Sequence, residues 1–152
     1  MANTLIETHG LDELIARMKK YPLELAKGMA VTMAASLIAL WESVPAYPEP
    51  PADSKYDRTG TLGRSLGSGF SGGAEGEPSI YTIRKLGEGY EGKFGTSLEY
   101  APHVIGDDTQ AAVHSGRWWN MRFVANKASE KINRLWQALG NKLASFLEGK
   151  SK

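Results

Sequence analysis

The sequence predicts an α+β fold: a small antiparallel β-sheet packed against N-terminal helices and a long C-terminal helix. Three observations carry that expectation. Apolar residues recur at three- and four-residue steps from Ala26 to Val44 and again from Val124 to Phe146, the spacing of helices that bury one face. Between them, "SIYTIRKL" (79–86) and "YEGKFGT" (90–96) flank "GEG", two β-rich runs joined by glycine, which read as a hairpin. Proline crowds 45–55 and glycine crowds 60–76, so neither stretch continues a helix.

The elements follow in order. Thr8 opens a short helix carried by Leu11, Leu14, Ile15 and Met18 and ending near Tyr21-Pro22. Pro22 suits the first turn of a second helix, and together the two cover about residues 9–44. In the second helix Ala26, Met29, Ala30, Met33, Leu37, Leu40, Trp41 and Val44 form the apolar stripe. The opposite face is small rather than charged: Gly28, Thr32, Ala35, Ser36, Ala39 and Ser43. Small side chains permit close approach of another backbone, so burial on two sides is expected. An extended proline-rich linker then occupies 45–55 and the sheet about 62–96, with "LGRSLGSGF" (62–70) as a third, glycine-bent strand. A loop over 97–119 holds a short helix near 98–104. The last helix runs over about 120–147, with Val124, Ala128, Ile132, Leu135, Leu139, Leu143 and Phe146 toward the core and Glu130, Asn133, Gln137 and Asn141 facing away. No internal repeat is present, and 152 residues are one ordinary domain.

Composition narrows the chemistry. The chain is 41% hydrophobic and 23% charged with a net charge of +1, which implies neither nucleic acid nor membrane as a partner. Charge is uneven: 4 basic against 5 acidic side chains in 1–48, 6 against 10 in 49–108, and 8 against 2 in 109–152. The longest uncharged run, Gly28–Trp41, has 14 residues, short of the about 20 that span a bilayer, and it begins too far into the chain for a signal peptide. Cysteine is absent, which removes disulfides, thiolate metal sites and a cysteine nucleophile.

No motif in the sequence announces a reaction. "GSGFSG" (67–72) has the spacing of a dinucleotide fingerprint, but a strand follows it instead of the helix whose N-terminus would face the pyrophosphate. His103 and His114 bracket Asp107 and Asp108 without the helical or strand spacing that organises metal ligands in advance. "G-x-S-x-G" is missing. The sequence therefore predicts a non-enzymatic protein without metal or cofactor. Two other readings remain open: a small hydrolase using His103 and His114, and a nucleic-acid-associated module. The latter would use the basic last helix (Lys127, Lys131, Arg134, Lys142) with Arg117, Trp118, Trp119 and Arg122 as stacking groups. Trp118-Trp119 is also the arginine-flanked aromatic pair expected of an interface anchor.

The stretch "DRTGTLGRSL" (57–66), after its proline lead-in, resembles a motif of the head–tail joining, or tail-completion, proteins of long-tailed phages and prophages. Its positions here are Thr59, Gly60, Leu62, Arg64, Ser65 and Leu66. The family's second signature follows a hairpin and stands here as "GTSLEYAPHV", with Gly95, Thr96, Tyr100, Ala101 and Val104. Order and spacing agree over most of the chain. The chain departs at "IGDD", where the family carries an acidic-aromatic-Gly-Thr run, and at "RWWNMRF", where it favours Pro-Phe. The resemblance implies a structural virion protein of the neck or tail terminus, at the head–tail junction and assembled in the bacterial cytoplasm. Its partners would be further copies of itself in a ring and other neck and tail proteins, with neither a membrane nor a specific nucleic-acid sequence among them. On this reading Arg58, Thr59, Gly60, Leu62, Arg64, Ser65, Tyr100, Ala101, Arg117, Trp118 and Trp119 form the assembly interface. Thr59 caps a turn, Gly60 takes a positive φ, and Leu62 and Leu66 tie that turn to the core.

Overall fold

A computed structural model describes residues 22–55 and 58–147. The expected first helix from Thr8, with His9, and Tyr56 at the start of the proline-to-glycine transition lie outside these residues.

Helix α1 spans Pro22–Glu42, with proline at its first position, where the missing N–H costs nothing. By length and composition it is long and apolar enough to cross a bilayer. In the fold it lies between a β-hairpin on one side and the C-terminal helix on the other. Its stripe and its small-residue face are thus both used, as the sequence implies. Met33 and Leu37 meet the hairpin at Gly92. On the second side Ala39 is 1% exposed, and Leu139 of the last helix fills the space a side chain at Gly28 would need. A third stripe, Leu23, Val31 and Ile38, is exposed.

The proline-rich segment after α1 leaves the helix without regular structure and is pinned at its start by Tyr47 N–H to Phe70 O (2.8 Å) and Gly73 N–H to Val44 O (2.8 Å), and it turns at 52–53, where Ser54 N–H bonds Pro51 O (3.0 Å). Residues expected to form a third strand instead form helix α2, Thr61–Ser65. Gly60 at φ 69° starts it, a left-handed conformation that costs glycine little. Only an isolated bridge, Leu66 to Pro78, remains of the strand. The reason is local: the backbone from Gly60 to Gly67 satisfies itself through short-range bonds such as Arg64 N–H to Gly60 O (3.0 Å) and Leu66 N–H to Gly63 O (2.9 Å), leaving little for a sheet.

Strands β1 (Ile80–Leu86) and β2 (Gly89–Gly95) form the two-stranded antiparallel sheet. The register runs from Ile80 opposite Gly95 to Leu86 opposite Gly89, leaving Gly87-Glu88 as a two-residue turn of the kind that matches strand twist. Helix α3 is Ala101–Ile105 and helix α4 is Met121–Leu147.

The core has two parts. Val44, Leu62, Leu66, Ala101, Ile105 and Val124 form one cluster, with Tyr47, Phe94, Trp118 and Trp119 packed on it. Ala39, Ala128 and Ile132 form the second, in the seam between α1 and α4, with Leu40 and Trp136 beside them. Trp136, which the stripe read from the sequence leaves out, donates its indole N–H to Ser36 Oγ at 3.1 Å. Phe146, expected in the core, is 40% exposed.

Candidate functional site

A cavity of about 390 Å³ opens where the proline-rich segment, α2, α3 and the loop before α4 meet. Tyr47, Leu62, Val104 and Trp118 supply its apolar lining, and Thr59, Gly60, Thr61, Tyr100, His114, Arg58 and Arg117 complete most of the rest. Seven of the residues expected at an assembly interface thus border one opening: Arg58, Thr59, Gly60, Leu62, Tyr100, Arg117 and Trp118. Arg64 is exposed and close enough to influence Tyr47 electrostatically. Ser65 and Ala101 are not among the lining residues; they hold the wall from behind. Trp119 likewise turns inward, donating its indole N–H to Ala46 O at 3.1 Å. Both tryptophans therefore pack on the core beneath the loop.

The two motifs of the phage resemblance, far apart in sequence, meet here. Ser65 and Thr96 share a hydroxyl–hydroxyl bond of 2.6 Å, and Ser65 Oγ also donates to Leu62 O at 2.8 Å. Leu62, Leu66, Ala101 and Ile105 then bury together. Gly60 and Leu62 take the roles expected of them. Thr59 does so only weakly, accepting from Thr61 N–H at 3.4 Å, a long bond.

Tyr47 organises the cavity. Its ring meets Phe70 edge-on at 4.8 Å and Trp118 at 5.1 Å, and its hydroxyl accepts the Gly63 N–H at 2.5 Å. Burial pushes its phenol above the usual value of 10.0, against the lowering pull of the Gly63 bond and of Arg64 and Arg58. A tyrosine whose folded-state pKa is raised contributes stability that is complete below pH about 10 and is lost as pH climbs through the higher folded value. Tyr47→Phe should therefore cost about 1–2 kcal/mol by stranding the Gly63 N–H. It should also remove one alkaline tyrosine step from an absorbance titration. An unchanged titration would show that Tyr47 is not the shifted group.

Arg58 is held rather than free. It donates to Pro48 O, and its guanidinium lies 5.4 Å from the Trp118 ring centre, within cation–π range. Arg117 donates to Glu49 O at 3.4 Å. Neither forms an ion pair among the described residues. The cavity therefore presents two positioned cations over an aromatic and aliphatic floor, an arrangement suited to a carboxylate carried on an apolar body.

The loop from Gly106 to Trp118 lacks buried aliphatic anchors, and Val113 is 71% exposed. Hydrogen bonds tie it instead. Gln110 donates to Val104 O (2.7 Å) and Trp118 O (3.1 Å), and Thr109 donates to Pro102 O at 2.9 Å. Asp107 accepts the Arg122 N–H at 2.7 Å, Asn120 accepts the Phe123 N–H at 2.9 Å, and Asp108 pairs with Arg122 at 3.6 Å. The acids of "IGDD" thus serve the start of α4, where exposed N–H groups and the helix dipole favour negative charge. Among the described residues no group of three or more histidines and acids is placed to hold a metal ion. His114 borders the cavity, whereas His103 is not among its lining residues. Nδ1 of His114 is buried with no hydrogen-bond partner among the described residues.

The basic face of α4 is partly neutralised within the fold. Lys131 pairs with Glu42 at 2.5 Å, and Arg134 pairs with Glu130. The chain matches no family model, no curated protein and no solved structure.

Proposed function

We propose that this chain is a structural protein of the phage neck that joins the head connector to the tail, or completes the tail, by assembling into a ring. One observation carries the reading. Two motifs separated in sequence, both resembling those of head–tail joining proteins, converge on one open cavity bordered by Arg58, Thr59, Gly60, Leu62, Tyr100, Arg117 and Trp118. Its aromatic and arginine content is that of an interface hot spot. The role asks the protein to bind and hold, and a positioned set of cations and rings does so without any reacting group. The nucleic-acid reading has less support, since Lys131 and Arg134 are engaged by Glu42 and Glu130.

Deleting the encoding gene from its phage or prophage should leave filled heads and detached tails in lysates under the electron microscope. Supplying the chain in trans should restore intact particles. Whole virions formed in its absence would overturn the proposal. Salt-dependent DNA binding by the purified chain, with a steep fall in affinity as counterions compete, would favour the nucleic-acid reading instead.

A further inference from the structure

The β-hairpin ends in a feature that its own turn does not require. Leu86, the last residue of β1, is 56% exposed. Glu88, next but one, has no ion-pair partner among the described residues, whereas Glu91 on β2 is held by Arg84 and Lys93. A two-residue turn needs glycine or a small polar residue, not a large aliphatic side chain beside an unpaired carboxylate.

The cavity carries the opposite set: Arg58 and Arg117, without carboxylate partners among the described residues, over Tyr47, Leu62 and Trp118. A subunit cannot bring its own tip there. Tyr81 packs on Trp41 and reaches Ala34 O, and Gly92 lies on Met33 and Leu37. The hairpin therefore runs from the C-terminal end of α1 toward its N-terminal half. Leu86 stands about 17 Å beyond Tyr81 at ~3.3 Å per residue, while the cavity lies past the other end of α1, at Tyr47 and Pro51.

We propose that the cavity receives the hairpin tip of a second copy of this chain, with Glu88 seated between Arg58 and Arg117 and Leu86 against the Trp118 face. The occupant follows from charge complementarity and from the placement of tip and cavity at opposite ends of one subunit. Such a contact joins two different patches, so each subunit offers a tip to one neighbour and a cavity to the other. Repetition closes into a ring when the rotation allows. The inference rests on the ring-assembly reading and names its contact.

The absence of cysteine makes the test clean. In the full chain carrying Thr59→Cys and Gly89→Cys, tip and cavity residues become joinable by a short bis-maleimide, while Leu86 and Glu88 stay intact. A side chain at Gly89 meets nothing closer than Leu86 O at 3.7 Å, and circular dichroism of each variant is to be compared with the wild type as the check on folding. The expected result is a ladder of covalent multimers from the double variant and none from either single variant. Glu88→Arg in the wild-type background should weaken self-association by about tenfold or more, with partial recovery on adding Arg58→Glu. Rings from the wild type without a ladder from the double variant would overturn the tip-in-cavity contact and leave ring assembly standing. A wild type that stays monomeric, with no ladder, would overturn both.

Discussion

Ala39→Arg is expected to abolish the folded state. Ala39 is 1% exposed on α1 against Ala128 and Ile132 of α4, and Glu42, the carboxylate one turn on, is already paired with Lys131. Burying an unpaired charge costs several kcal/mol, and displacing two helices adds the loss of their contact. Together these approach the whole stability of an ordinary domain, about 5–15 kcal/mol. Urea denaturation followed by circular dichroism should show no cooperative transition for Ala39→Arg. Ala39→Gly, which adds only backbone freedom, should lose about 1 kcal/mol. An arginine variant within 1 kcal/mol of wild type would mean that the two helices do not meet there.

Leu66→Ala should have the next largest effect. Leu66 is 0% exposed and sits between α2, α3 and α4 in the cluster with Val44, Leu62 and Val124. Truncating a fully enclosed leucine removes its transfer energy and leaves a void, about 2–5 kcal/mol together. Leu66 packs in one cluster with the cavity-lining Leu62, so the self-association proposed above should weaken along with the denaturation midpoint. A loss below about 1 kcal/mol would mean that the wall collapses into the gap, and association should then change more than stability does.

The elements that could be read from the sequence are those whose signal is local. The hairpin announces itself through alternating Ile80, Thr82 and Arg84 against Tyr81, Ile83 and Lys85, broken by "GEG". Helix α4 does so through apolar residues on one side. Helix α2 escapes because five residues are too few to show a period, and four glycines within the ten positions 60–69 resemble a bent strand as readily as a turn-flanked helix. Trp136 escapes for a different reason. It lies beside the stripe, and its polar partner Ser36 is 100 residues away, a distance over which one sequence carries no pairing signal. At the site, the roles of Gly60, Leu62 and Leu66 followed from turn chemistry and aliphatic spacing. The capping role of Asp107 and the ion pair of Asp108 with Arg122 did not, because an acid pair in a polar loop looks the same whether it awaits a cation or a helix N-terminus.

The seam between α1 and α4 also has a consequence for how the chain comes to be folded. Translation delivers α1 before α4, so the small-residue face around Ala39 emerges without its partner. At ~5–20 residues per second, the roughly 100 residues from Ser36 to Trp136 take about 5–20 s to appear. During that interval an unusually apolar helix stands open to anything nearby, a nascent neighbour on the same messenger included. Under the ring assembly proposed above, this is the stage at which premature pairing through the wrong face would compete with the right one. Completion of α4 withdraws that face into the seam.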